Sequence, residues 1–266
     1  MSLIEEIFGD KARRPREPSS PQPGERTPAD RARDLISEAK KVDKFEAARG
    51  VRAPSDTRAA EEFRALCTNL MGLDAAQGIN SIVLSSCHQG EGRTTAAINL
   101  ALSMAMGPYR KVLLFEGDLR SPVIKQRLSL QIEVGVEDVL TGTARVGEAL
   151  VYSREDNLTV LPARGGYSDP AEMLDSPAME ELAPMLVAAF DYVICDSPPL
   201  STPDSFVLGR RMGALALVVR AGETQRQSVT DAVSILKQAD VPFAGLILNR
   251  VKTRGAERPS AGQQPD

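Results

Sequence analysis

Residues 81–95, SIVLSSCHQGEGRTT, join an apolar run to a helical one through a loop with two glycines. The segment Ser81–Ser86 is short, rich in Ile, Val and Leu, and has the composition of a buried strand. It runs into a loop holding Gly90 and Gly92, after which Thr94 and Thr95 open the helical candidate TTAAINLALSMAM. A strand, a glycine-bearing loop and a helix N-terminus, in that order, bring backbone N–H groups up to phosphate oxygens. The pattern G-x-x-x-x-G-K-[ST] is missed twice, at Cys87 and at Arg93. Thr94 still offers a hydroxyl to Mg²⁺. Arg93 keeps the cation and changes its shape: an ammonium is a compact point charge, whereas a guanidinium is planar and forked. The charge survives while the fit to β- and γ-phosphate oxygens does not, which predicts nucleotide binding with impaired phosphoryl transfer.

Two further strand ends support a nucleotide site. In VLLFEGDLR the acids Glu116 and Asp118 follow a second apolar run, and in YVICDSPP Asp196 follows another. Carboxylates at such positions hold Mg²⁺ directly or through water. Asn249, closing the run LILNR, has an amide able to donate to and accept from an adenine edge. His88, the single histidine, is read as a polar loop residue, because no Ser or Cys nucleophile motif accompanies it. Cys67, Cys87 and Cys195 lack metal-ligand or disulfide spacing, and a reducing cytosol suits them. Cys87 and Cys195 read as packing residues.

Working outward, SIVLSS, KVLLFEG, LTVLPA, DYVICDSPP, ALALVVRAG and AGLILNRV alternate with helical candidates at 95–106, 177–189, 203–212 and 225–240. That alternation predicts an α/β fold, a mostly parallel sheet with helices on both faces and ligands beyond the carboxyl ends of the strands. Residues 1–55 are expected to form a flexible leader, with a solvated, transient helix in PADRARDLISEAKKVDKFEAA; 56–253 form the folded domain, and 254–266 a disordered polar tail. The opening MSLIEEIF reads as a frayed terminus. No stretch approaches the roughly 18 apolar residues of a spanning helix, so the protein is expected in the cytoplasm. Aromatic content of 4% without tryptophan argues against a stacking platform for nucleic acid, and a net charge of −4 gives no global attraction to it.

Taken together the motifs resemble the cytoplasmic domain of bacterial tyrosine kinases (BY-kinases), the CpsD/CapB-type capsule and exopolysaccharide regulators. The resemblance runs from about residue 56 to 251. It rests on AAEEFRALCTNL, GEGRTTAAINLA as Walker A, VLLFEGDLRSP as Walker A′, GVEDVLTG, DPAEMLDSPAM, FDYVICDSPPLSTPD as Walker B, LVVRAGET and GLILNRV. It implies a P-loop NTPase fold of the deviant-Walker (SIMIBI-like) type and an ATP–Mg²⁺ site. Gly90, Glu91, Gly92, Arg93, Thr94 and Thr95 would take the phosphates; Thr94, Asp118 and Asp196 would serve the metal. Glu116 and Asp118 would share metal coordination and activation of a tyrosine hydroxyl, with Arg93 in the catalytic set. It further implies a membrane polysaccharide co-polymerase (Wzz-like) as a separate chain, and a place at the inner face of the membrane through that partner.

The departures bear on activity. The family usually has Lys at Arg93, Asp at Glu116, and an E-x-x-R-x-x-R oligomerisation helix that here reads Glu61, Arg64, Cys67. Cys67 cannot supply a guanidinium to a salt bridge, which weighs against ring assembly. The tail has no tyrosine; Tyr109, Tyr152, Tyr167 and Tyr192 lie within the expected domain. The leading expectation is an ATP-binding regulator of polysaccharide assembly with weak tyrosine kinase or ATPase activity, or none. The alternatives are a fully active kinase, a scaffold that binds no nucleotide, and a deviant-Walker ATPase of chromosome partitioning or septum placement. The last usually carries a second lysine early in the P-loop, where this chain has Cys87 and His88.

Overall fold

Eight strands build one sheet in the computed structural model, whose described residues are 28–48, 51–53, 57–107, 110–165, 167 and 169–251. In chain order the elements are α1 (Pro28–Glu38), β1 (Lys40–Val42), α2 (Arg58–Gln77), β2 (Ser81–Ser86), α3 (Arg93–Ala105), β3 (Val112–Glu116), α4 (Ile124–Arg127), α5 (Val136–Leu140) and α6 (Val146–Ala149). They continue with β4 (Val151–Ser153), β5 (Leu158–Leu161), α7 (Pro170–Leu174), α8 (Pro177–Ala189), β6 (Tyr192–Asp196), α9 (Asp204–Met212), β7 (Ala214–Arg220), α10 (Arg226–Gln238) and β8 (Phe243–Asn249). The sheet order is β1-β4-β5-β3-β6-β2-β7-β8. Among the described residues only β4 and β5 pair antiparallel.

Alternation along the strands sorts the core into two faces. Leu113 and Phe115 of β3 pack with α8 and α9, whereas Val112 and Leu114 pack with α3. Ala96, Ala97, Ala101 and Ala105 keep α3 thin on its buried side, so its backbone lies close to the sheet and its first turn is held at the end of β2. Local capping agrees with the chain's turns. Thr57 accepts from the Ala60 amide to start α2, and Gly78, at φ 67°, ends it in the left-handed region.

The expected mostly parallel sheet is present with all six expected strands, and the helices expected at 95–106, 177–189, 203–212 and 225–240 fall within two residues of those bounds. The leader differs from expectation. α1 packs against α6 and α8, and β1 pairs in parallel with β4, Lys40 beside Val151. Phe45 and Val51 are buried in the core face that carries α3. Ala39, Phe45 and Val51 are buried along this charged segment, with Leu35, Ile36, Val42 and Ala47 packed beside the core, so its described residues fold back onto the domain. The parts of the leader before residue 28, the tail from 252 and Tyr109 lie outside the described residues.

Candidate nucleotide site

The site stands where β2, β6 and β3 end side by side. Register places Leu84 opposite Asp196 and Asp196 opposite Glu116, so the P-loop and the strand-end acids share one rim of the sheet. Gly90 and Gly92 have φ of 85° and 95°, conformations that an L side chain rarely adopts. A Cβ on Gly92 would also lie 2.2 Å from Asn249 Nδ2. The loop therefore needs glycine both for its turn and for its neighbour.

Glu91 pins this loop. Its Oε2 accepts from the His88 amide at 2.8 Å, and its Oε1 accepts from the hydroxyl of Thr224, which in turn accepts from the Arg220 amide at 2.9 Å. Asn249 Nδ2 donates to the Glu91 carbonyl at 2.9 Å, and Asn249 Oδ1 accepts from the Arg250 amide at 2.8 Å. Both halves of the Asn249 amide are thus engaged with the protein. Thr94 and Thr95 sit half-buried in the first turn of α3, and Thr94 Oγ1 donates to Asp196 Oδ2 at 2.5 Å.

Arg93 turns inward. It is nine-tenths buried; Nη1 donates to Ser86 Oγ at 3.1 Å and Nη2 to Asp118 Oδ2 at 3.2 Å. Its Nε stands 4.0 Å from Asp196 Oδ1, and among the described residues neither of these two buried atoms has a hydrogen-bond partner. The guanidinium so reaches from the end of β2 to Asp118 and lies close to Asp196 without bonding it.

Glu116 is held by backbone amides that follow it in the chain. Its Oε2 accepts from the Val123 amide at 3.1 Å and the Ile124 amide at 2.7 Å, capping the first turn of α4. Burial first, then Asp196, raises its pKa well above the ordinary carboxylate range, with the two amides opposing. An aspartate here is one methylene short of those amides. Glu116→Asp is expected to cost about 1–3 kcal/mol, as two buried N–H groups lose their acceptor, which denaturant unfolding measures. A variant as stable as wild type would show that the cap is dispensable.

Asp118 Oδ1 accepts from the Ser121 amide at 3.0 Å, and burial raises its pKa despite Arg93. Asp196 is fully buried. Burial pushes its pKa up to about 7, Arg93 and Thr94 lowering it and Asp118 adding to the rise. Since the folded value lies above the unfolded one, the stabilising contribution of protonated Asp196 is complete below the unfolded value and is lost as pH rises through about 7. Nucleotide-free protein should therefore lose more stability between about pH 5 and pH 8 than Asp196→Asn, whose carboxamide does not titrate. Parallel stability–pH curves would refute this.

Four participants escaped the sequence reading. Ser86 Oγ accepts from Arg93 and donates to the His88 carbonyl at 2.7 Å. Arg120 grips the fully buried Asp204 bidentately, at 2.7 and 3.1 Å, and so ties the segment after β3 to the start of α9. Arg120 and Asp204 stand in paired strand-end motifs, and their opposite charges are a signal that would have found them. Thr224 gave none. His88 is exposed, and burial pushes the thiols of Cys67 and Cys87 up to about 11, so the structure offers no thiolate nucleophile in either. Cys67 points inward, its Sγ 3.8 Å from the Leu100 carbonyl on α3.

Comparison with known proteins decides the family. The tyrosine-protein kinase YwqD of Bacillus subtilis is 34% identical over 194 residues, 73% of this chain and 81% of YwqD. The chain belongs to the bacterial tyrosine-kinase family. Within that family, the tyrosine-protein kinase CpsD of Streptococcus pneumoniae is 31% identical over 196 residues, 73% of this chain and 85% of CpsD. The kinase domain of the Escherichia coli tyrosine kinase ETK superposes with a TM-score of 0.71 at 25% identity, over 86% of this chain and 98% of that one. The septum site-determining protein MinD of Pyrococcus horikoshii, solved with Mg-ADP, is more distant, with a TM-score of 0.54 at 25% identity over 64% of this chain and 70% of its own. No protein-family model matches the chain.

Proposed function

We propose that this BY-kinase relative binds ATP at the P-loop and regulates the assembly and export of a capsular or extracellular polysaccharide, with phosphoryl transfer slowed by Arg93. The observation that carries the reading is the meeting of all three Walker segments at one rim, with Thr94 on Asp196 and Arg93 on Asp118. The kinase relatives match more of the chain than MinD does, which favours this reading over a partitioning or septum-placement ATPase.

Oxygen donors suit a hard cation, and Asp196 Oδ1 is buried without a hydrogen-bond partner. Thr94, Asp118 and Asp196 therefore fit Mg²⁺ carried in with the nucleotide, once Arg93 leaves Asp118 Oδ2. Bound there, the ion would neutralise phosphate charge. The chain's own part is to seat phosphates on the amides of residues 90–95, fix Thr94 against Asp196, and hold Asp118 by its turn at Ser121.

Residues 252–266 hold no tyrosine, and in this reading acceptor tyrosines belong to partner proteins. Among the described residues no helix is long and apolar enough to cross a membrane. We place the chain at the cytoplasmic face through a separate membrane polysaccharide co-polymerase. The test is genetic. A chromosomal Thr94→Ala, Asp196→Asn variant, shown to accumulate at normal abundance, should lower the yield or the chain length of the exported polymer. Unchanged polymer would overturn the proposal.

A further inference from the structure

Two aspartates at the end of a phosphate-binding loop pose an electrostatic problem for any anionic ligand. Asp118 is almost buried and Asp196 wholly so, and both lie beside the first turn of α3, where phosphates would seat. Where these carboxyls are ionised, as the neighbouring Arg93 favours, an approaching polyphosphate meets negative charge in a poorly solvated place, and repulsion is strong. In an ordinary site the ligand's dication screens them. Here the screening cation is already covalently part of the chain. Arg93 donates to Asp118 at 3.2 Å, stands 4.0 Å from Asp196, and is braced by Ser86 at 3.1 Å. Its fork bonds Ser86 and Asp118 at once, which leaves the delocalised charge close to Asp196 without a hydrogen bond to it.

Resting on the nucleotide-binding reading, we infer that Arg93 is a resident cation that takes over the charge-screening part of Mg²⁺, so that adenine nucleotide binds this P-loop with little dependence on the metal. Mg²⁺ entering with the ligand must displace a guanidinium from Asp118 Oδ2, and what it gains in coordination it gives up in the broken ion pair. A lysine at 93 has a single ammonium and is drawn to the phosphates. It leaves the aspartates to the dication, and metal dependence returns.

The test is equilibrium binding of a fluorescent ADP analogue to the full chain, in excess Mg²⁺ and in excess EDTA, read by anisotropy. The wild-type dissociation constants in the two buffers should agree within about threefold, and those of Arg93→Lys should differ by about tenfold or more. Wild-type binding that requires Mg²⁺ would overturn the inference and leave the nucleotide site standing. Absence of wild-type binding in both buffers would overturn the inference together with the nucleotide-binding reading. Because the wild-type comparison alone decides between these outcomes, a misfolded Arg93→Lys variant does not rescue the claim.

Discussion

Arg93→Lys is expected to raise steady-state phosphate release from ATP by roughly ten- to a hundredfold, the largest gain that one substitution in this chain should give. The reason is where the guanidinium lies. It spends its hydrogen bonds on Ser86 and Asp118, beneath the loop, rather than on a ligand above it. Phosphoryl transfer is catalysed mainly by positioning and by charge placed where it develops in the transition state. A cation held back on Asp118 supplies neither, whereas an ammonium on a flexible stem has no fork with which to span Ser86 and Asp118. The change should appear in kcat more than in KM, because the charge is conserved and its transition-state position is altered. Equal turnover by the two proteins, measured by coupled phosphate release, would show that Arg93 does not limit the reaction.

Gly117→Ala should be the most damaging single-carbon addition at the site. Gly117 lies between Glu116 and Asp118, and its amide donates to the Asp196 carbonyl at 2.7 Å. An added Cβ would meet that same carbonyl at 2.9 Å, Cys195 Sγ at 2.9 Å and Leu208 Cδ1 at 2.8 Å. Leu208 can rotate away, but the backbone oxygen can yield only by parting the ends of β3 and β6. The expected cost is about 1–3 kcal/mol of stability, a fall in melting temperature of roughly 5–10 °C. Separating Asp118 from Asp196 also spoils the pairing of both with Arg93, so nucleotide affinity should fall by about tenfold. Thermal unfolding and nucleotide titration check the two effects together. A variant with wild-type melting and affinity would show that these strand ends are not a rigid frame.

The legible parts of the molecule were those set by composition. Continuous Val, Ile and Leu runs made the central strands readable, and glycines at 90 and 92 marked the loop, because few other residues tolerate its backbone. β1 and β4 were missed because each is three residues long, Lys40–Val42 and Val151–Ser153, too short for an apolar run. Their pairing is settled by contacts distant in sequence. Phe45 and Val51 were assigned to a leader for the same reason, since isolated apolar residues in a charged stretch reveal nothing of the surface that receives them.

At the site, sequence disclosed the charges and not their directions. That Arg93 is cationic follows from its side chain; that it folds down onto Asp118 depends on Ser86 and on the close approach of β2, β6 and β3. Glu116 reads as a metal or catalytic acid from its place at a strand end; its bonds to the Val123 and Ile124 amides were not legible, because α4 has only four residues and no apolar period. The anchoring of Glu91 by Thr224 joins residues 133 positions apart, beyond what any local pattern conveys.

Calorimetric titration of the full chain with ATP in Mg²⁺ buffer tests the central claim, that this P-loop remains a working nucleotide site with arginine at position 93. The account predicts saturable one-to-one binding with a dissociation constant of about 1–100 μM. Absence of heat from the natural protein, with binding recovered in Arg93→Lys, would contradict it and leave the loop as architecture alone.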